Sequence, residues 1–362
     1  MVTEKEKQRY LRHILLEEIG EAGQLKLKQA KVLVIGAGGL GCPALQYLTA
    51  AGVGKIGIID DDVVDVSNLQ RQILFSEKNV GEPKVIVAKN RLQEMNSSIE
   101  IVTYKKRLSA KNALDLFSGY DIIVEGSDNF TTKYLANDAA VLAGRPLIFG
   151  SIFKFDGQVS VFNYHDGPTY RCLFPESGAA EEMPSCSEVG VLGILPGIIG
   201  NLQANEVLKM ILGIGNVLSG KLLLFDALEM QFQILSFSKN PDVKISNLEE
   251  INFSCETTAV KSLSFQEYLK APEAYVLLDV RNPEERAISH IGGLHIPLPE
   301  LQKRYSELTS EDNLLVYCAS GMRSIKAISI LQDFFPNKSF FNLEKGMAEA
   351  FRTTGNNVSA EK

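Results

Sequence analysis

The stretch VLVIGAGGLGCPA, Val32 to Ala44, decides the fold. An apolar, strand-like run enters it and a helix-compatible segment leaves it. Between them Gly36, Gly38 and Gly41 have the G-x-G-x-x-G spacing of a nucleotide-binding turn. Glycine lets the chain turn tightly there and lets a phosphate approach backbone N–H groups at a helix N-terminus. Asp60 ends the next strand-like run, IGIIDDD, about where a ribose-binding acid belongs. Glycines and acid together do not separate NAD from FAD or ATP.

Outward from this turn the pattern alternates. KVLVIGA, KIGIIDDD, IEIVTYKK, YDIIVEGSD and RPLIFGSI read as strands. CPALQYLTAAGV (entered near Pro43), PKVIVAKNRLQEMN, ALDLFSG and FTTKYLANDAAVLAG read as helices. This βαβ rhythm predicts an α/β, Rossmann-like, mainly parallel sheet. GQVSVFNYH and KLLLFDALEMQFQILSFS extend it with antiparallel strands. Between these, GILPGIIGNLQANEVLKMILG supplies a long helix entered at its Pro-Gly. Regular pattern stops near Lys239. A smaller α/β unit then starts with SFQEYLKA, YVLLDVR, NLLVYC and SIKAISILQDFF. The division expected is a first domain over 1–240, a polar linker over 241–260 and a second domain over 261–362.

Composition sets bounds. The 362 residues are 45% hydrophobic and 22% charged, with a formal net charge of −7, which disfavours nucleic acid as the main partner. The charged N-terminus MVTEKEKQRYLRH has no secretory pattern, and the apolar stretch VGVLGILPGIIGNLQA is broken by Gly and Pro. No membrane partner is expected, and a cytoplasmic location follows as the default. Five cysteines without a C-x-x-C pair point to reduced thiols.

The discriminating residues follow the glycine turn. DVSNLQRQ sets Ser67, Asn68, Leu69, Gln70 and Arg71 near the expected crevice, GEPK puts Lys84 at a helix start, and EGSDNF puts Asp128 and Asn129 at a strand end. Arginine, lysine and aspartate converging on one crevice suit a triphosphate with a metal, which hydride transfer does not need. Singly, Lys84 reads as a solvated helix charge, Arg12 as one charge on an amphipathic helix, and Asp128 with Ser127 as a helix cap.

In this order, RYLRHILL, VIGAGGLGCPA, DDDVVDVSNLQRQ, GEPK and SDNF resemble the MoeB/ThiF family of adenylyltransferases, relatives of ubiquitin-activating enzymes, over roughly residues 6–238. The resemblance implies ATP with Mg²⁺ and adenylation of the C-terminal Gly-Gly of a ubiquitin-like sulfur carrier of the MoaD/ThiS kind. It implies that Gly39 lies on the phosphate turn and Asp60 on the ribose. Asn68, Arg71 and Lys84 would meet phosphates, and Asp128 would organise Mg²⁺. Arg12 would reach the partner's nucleotide in a homodimer. The family's cysteine in the crossover loop matches Cys186, a transfer thiol or a passive one. Relatives hold zinc through two C-x-x-C pairs; here the first reads Thr169-Tyr170-Arg171-Cys172 and KNPDVKIS lacks the second, so no zinc is expected.

In the second half, Cys318 follows a strand and precedes Ala319, Ser320, Gly321, Met322 and Arg323. Such a loop wraps N–H groups around a thiolate, with helix terminus and arginine favouring the charge. With LLDVRNPEERAISHIGGLHIPL it resembles a rhodanese domain over about residues 261–355, which implies a cysteine persulfide on Cys318 and a donor such as a cysteine desulfurase. A cysteine phosphatase loop is one residue longer. Cys42 reads as packed core, and Cys255 carries no assigned chemistry. The expected activity is carrier adenylation followed by sulfur transfer, for molybdopterin or thiamin synthesis, with tRNA thiolation and cysteine synthesis using the same chemistry. An NAD-dependent oxidoreductase and a non-catalytic docking module are the alternatives.

Overall fold

A computed structural model describes residues 2–175, 190–248, 260–308, 313–319, 321–336, 338–347 and 349–350. The chain divides into two units, Met1–Phe253 and Ser254–Lys362. Of the segment expected as a linker, residues 241–248 are described, and Leu248 packs against the core of the first unit. No helix among the described residues is long and apolar enough to cross a membrane.

The first unit opens with α1 (Glu4–Arg9), α2 (Leu11–Ile14) and α3 (Gly20–Gln29). Then β1 (Lys31–Ile35), α4 (Gly41–Ala51), β2 (Lys55–Ile59), α5 (Lys84–Met95), β3 (Glu100–Tyr104), α6 (Ala110–Ser118), β4 (Ile122–Glu125), α7 (Phe130–Leu142) and β5 (Leu147–Phe153) alternate. They are followed by β6 (Asp156–Phe162), α8 (Tyr170–Leu173), α9 (Ile194–Leu212), β7 (Lys221–Asp226) and β8 (Gln231–Ser236). The sheet order is 3-2-1-4-5-6-7-8, parallel from β3 to β5 and antiparallel from β5 to β8.

The period-2 alternation of β1 explains the two layers of helices. Val32 and Val34 point into a core with Leu45, Leu48, Val85, Leu92, Ile199 and Val207, whereas Leu33 and Ile35 point into one with Phe117, Tyr134, Phe149 and Tyr170. Covered on both faces, these strands read as unbroken apolar runs. Helix α4 begins at Gly41, two residues before Pro43, because Leu40 is already helical (φ −76°, ψ −44°). Helix α9 begins at Ile194, so Pro196 falls in its first turn, where a missing N–H costs no intrahelical bond.

The second unit is a parallel sheet of order 11-10-12-13-9: β9 (Lys261–Leu263), β10 (Val276–Asp279), β11 (Leu294–His295), β12 (Asn313–Tyr317) and β13 (Ser339–Leu343). Helices α10 (Phe265–Tyr268), α11 (Pro283–Ile288), α12 (Leu301–Arg304) and α13 (Met322–Phe334) accompany it. Leu278, Leu314 and Val316 face Ile328 and Leu331 of α13 on one side; Leu277, Leu315 and Tyr317 face Phe265 and Met347 on the other. Both units are α/β, the larger mainly parallel with an antiparallel extension, as the βαβ rhythm predicts. The strands β9, β11 and β13 carry no sequence prediction; two of them are only two or three residues long.

Close packing of the glycine turn sets a stability test. A Cβ on Gly41 would lie 1.9 Å from the carbonyl oxygen of Gly36, a backbone atom that cannot step aside. Gly41→Ala should therefore destabilise the first unit by about 2–3 kcal/mol. Urea unfolding of the full chain checks this, and an unchanged midpoint would contradict the packing.

Candidate functional site

The sheet order reverses between β1 and β4, and in such sheets ligands bind beyond the strand ends at that point. The chain approaches itself closely just past the two strands because a glycine follows each: a Cβ on Gly36 would lie 2.9 Å from the Gly126 carbonyl oxygen, and Gly36 has φ +87°. A crevice of about 500 Å³ opens there. Gly39, Asp60, Arg71, Lys84, Asp128 and Asn129 all line it.

Each side chain is placed by its own element. Asp60, just past β2, accepts the Ala37 N–H at 2.7 Å on one oxygen and the Asp62 N–H at 2.8 Å on the other, which leaves each oxygen a further lone pair. Burial raises its pKa, against those two bonds and the nearby Lys84 charge. Lys84 opens α5 and is only 5% exposed, with Nζ 2.9 Å from the Asp62 carboxylate. It is thus a buried cation aimed at the crevice. Arg71 donates to the Ser67 carbonyl at 2.9 Å, bracing its stem across its own turn. Gly39 has no Cβ, which would lie 3.0 Å from Pro196, so α9 comes up against the turn.

Asp128 is exposed at the crevice, on a turn held from below. Glu125, fully buried at the end of β4, accepts from the N–H (2.8 Å) and hydroxyl of Ser127. Lys133, on the first turns of α7 and 4% exposed, pairs with Glu125 and donates to the carbonyls of Ser127 (2.9 Å) and Gly150 (3.0 Å). Asn129 caps α7 by accepting the Thr132 N–H. The helix cap is Asn129, so the Asp128 carboxylate is not used for it.

Ser67, Asn68, Leu69 and Gln70 stand beside the crevice without lining it. Asn68 accepts the Asp65 N–H in a capping box of the turn Val66–Asn68, and the Gln70 carbonyl lies where a Cβ on Gly193 would be 2.4 Å away. Arg12, exposed on α2, does not line the crevice of its own chain. Sequence reasoning missed Asp62, Gln72, Lys106, Arg107, Glu125 and Lys133. Lys106 and Arg107 had a signal, a basic run at the carboxyl end of β3. Gln72 is 4% exposed, and its Oε1 has no hydrogen-bond partner, an orphaned acceptor in the crevice wall.

In the second unit Cys318 is fully buried just past β12, and its Sγ accepts the Gly321 N–H at 3.2 Å. Gly321 (φ +96°) makes that turn. The Ser324 hydroxyl lies 3.6 Å from Sγ and bonds Asn342 at 2.6 Å. Ala319 and Met322 complete the described loop backbone. Arg323 makes a bidentate pair with Glu285 of α11, both contacts 2.7 Å, and Arg323 holds the Glu285 carboxyl below its usual value of 4.5. Asp279 and Arg281 form a second buried pair beneath, at 2.7 Å. Ser320, Cys186 and Cys255 lie outside the described residues.

Burial pushes the Cys42 thiol up to about 12, which suits the packed-core reading. At Cys172 burial also raises the pKa, but hydrogen bonds from Thr169 and the Asn240 N–H, with Lys239 nearby, outweigh it and leave it below the ordinary thiol value. Both bonds from N–H to sulfur are 3.4 Å; the Thr169 one lies within the cap of α8, and the Asn240 one ties the segment after β8 to that helix.

The ThiF family matches residues 10–246, and the rhodanese-like domain matches residues 264–352. The chain is 52% identical over 244 residues to a sulfur carrier protein adenylyltransferase of Thermus thermophilus, covering 66% of this chain and 90% of that protein. It is 40% identical over 351 residues to a probable adenylyltransferase/sulfurtransferase MoeZ of Mycobacterium tuberculosis, covering 91% and 89%. Among solved structures, E. coli MccB with ATP superposes with a TM-score of 0.60 at 24% identity, over 67% of this chain and 75% of that one. That likeness supports the fold.

The Arg323–Glu285 pair makes a pH prediction. A carboxyl with a lowered folded-state pKa contributes stability that is present above its unfolded pKa and lost as pH falls below it. Arg323→Gln should therefore reduce the loss of stability of the second unit between about pH 6 and pH 3, by about 0.5–1 kcal/mol for this partly exposed pair. Chemical unfolding of the full chain at both pH values measures it; an unaltered pH dependence would contradict the pairing.

Proposed function

The chain belongs to the ThiF family and carries a rhodanese-like domain behind it, and from that premise we propose that it adenylates the C-terminal glycine carboxylate of a ubiquitin-like sulfur carrier and then passes sulfur to it. The observation that carries this reading is the convergence of Lys84, Arg71, Asp60 and Asp128 on one glycine-cradled crevice at the switch point of the sheet. Its curated relatives are named for carrier adenylation and for adenylyl and sulfur transfer.

The crevice fits ATP. Its volume lies in the range of small-molecule sites, Gly36, Gly38 and Gly39 line it without side chains, and the Gln72 Oε1 in its wall is an orphaned acceptor. Bound there, ATP supplies an activated α-phosphoryl group. Asp60 offers its spare lone pairs to ribose hydroxyls. Lys84 and Arg71 neutralise phosphate charge as a carboxylate approaches, so that electrostatics and positioning carry the step without a side-chain nucleophile. Asp128 is the Mg²⁺ ligand. An exposed crevice carboxylate suits this metal, which binds through one or two carboxylates plus phosphates; among the described residues no His/Cys/Asp/Glu cluster would hold a metal unaided. Arg12 completes the site of the second subunit in a homodimer, consistent with its exposure away from its own crevice.

In the second unit the Cys318 thiolate attacks the outer sulfur of a donor persulfide, such as that of a cysteine desulfurase. The donor S–S bond breaks and the donor leaves as a thiolate. The resulting persulfide attacks the carrier's acyl adenylate and AMP departs, giving an acyl disulfide. A thiol, Cys186 in this reading, then attacks the Cys318 sulfur, releasing the thiocarboxylate and leaving a disulfide for a cellular thiol to reduce. Molybdopterin synthesis is the pathway proposed, with thiamin synthesis as the second reading.

Two experiments test the two halves. Asp128→Ala should lower carrier-dependent ATP–pyrophosphate exchange by about 100-fold or more. Mixing Asp128→Ala with Arg12→Ala subunits should recover part of it, and no recovery after verified subunit exchange would sink the homodimer assignment. Cys318→Ala should leave carrier adenylate formation intact and abolish thiocarboxylate formation with cysteine and a desulfurase as sulfur source. The carrier's mass, followed with time, reports both products. Thiocarboxylate at an unchanged rate would remove the second unit from the mechanism.

A further inference from the structure

The loop that carries Cys318 has an arginine that is already engaged. Arg323 lies two residues past the Gly321 N–H that contacts Sγ, and both its terminal nitrogens are taken by the two oxygens of Glu285 at 2.7 Å. Neither partner is far into solvent, with side chains 14% and 33% exposed. Glu285 is itself fixed, because it accepts the Asn282 N–H at 3.0 Å in the capping box that starts α11. The other arginines of this side are also compensated. Arg281, over the Tyr317 ring next to Cys318 in the chain, is paired with Asp279, and Arg286 lies 3.5 Å from the same carboxylate. The sulfur is fully buried, so a donor must bring its sulfane sulfur into the loop.

We infer that Glu285 sets the charge selectivity of the Cys318 loop: by holding Arg323 in a bidentate pair, it withholds the cation that a dianionic sulfur donor would need and favours donors of lower charge. Glu285 is a positioning residue acting through Arg323. The inference rests on the sulfurtransferase reading of this loop. With thiosulfate the step is attack of the Cys318 thiolate on the outer sulfur. The S–S bond breaks, sulfite leaves with the electron pair, and the cysteine persulfide remains. The dianion then approaches a thiolate whose loop carries a guanidinium already neutralised by Glu285, and repulsion is not offset. A monoanionic thiosulfonate undergoes the same attack, with a sulfinate leaving, against less repulsion.

The test uses the full chain and two donors, thiosulfate and methanethiosulfonate, with cyanide as sulfur acceptor. In Glu285→Gln the released guanidinium can bind the donor. The ratio of kcat/KM for thiosulfate to that for methanethiosulfonate should rise about fivefold or more, mainly through a lower KM for thiosulfate. The rise should shrink as salt is added. Glu285→Asp, which keeps the charge, should stay near the wild-type ratio, and the rise should vanish in Glu285→Gln combined with Arg323→Gln. A merely structural role would lower both rates together and leave the ratio unmoved. An active Glu285→Gln protein with an unchanged ratio, or a rise that survives loss of Arg323, overturns the inference alone. A wild-type chain inert with both donors overturns this inference, and one inert also with a desulfurase persulfide overturns the sulfurtransferase reading.

Discussion

The close approach of two strand ends governs the first unit. β1 and β4 run side by side, each is followed by a glycine, and backbone occupies the space that side chains would need there. The same crowding recurs at Gly41, where α4 leaves the turn against the Gly36 carbonyl. Because these contacts are backbone on backbone, they cannot relax by rotamer changes. They fix where α4 points, where β4 delivers Asp128, and how the crevice opens. The crevice is built around that junction: Asp60 reaches back to the Ala37 N–H of the turn, and Gly39 lets α9 pack against the turn.

Charge in this crevice is held in unequal ways. Lys84 is buried and answered by a single exposed carboxylate, Asp62, which an anionic ligand can displace. Lys133 is buried and answered by a buried carboxylate and two carbonyls, so it is committed to structure. Two lysines on one crevice wall thus differ in how deeply their partners are buried. Arg323 in the second unit resembles the second kind, although its pair is partly open to water.

Much of this was legible in the chain. Repeated βαβ patterning gave the parallel sheet, because strands covered on both faces are bound to read as apolar runs. Asp60, Lys84, Asp128 and Asn129 were placed at strand ends or a helix start, Gly39 on the glycine turn and Arg71 in the segment after β2, and all six line one crevice. Burial was harder to read. Lys84 looks like a solvated helix charge, since its apolar surroundings come from distant segments. Glu125 and Lys133, eight residues apart, become partners only once β4 and α7 pack. Arg323 likewise reads as a cation near Cys318, and its true partner is 38 residues away. Short strands such as Leu294–His295 escape any periodicity argument, because two residues have no period.

The buried Glu125–Lys133 pair has a consequence for how such a chain can change over generations. Removing one partner leaves a charge stranded in the interior, at a cost of about 3–5 kcal/mol, comparable with much of a domain's net stability. Replacing both with matched apolar groups could be neutral for stability, yet it would release Ser127 and Gly150 from the lysine that spans them. Single steps are therefore nearly closed at both positions. The turn that presents Asp128 is in this sense frozen: its support can drift only as a pair, and each intermediate along that route is a poorer protein than either end.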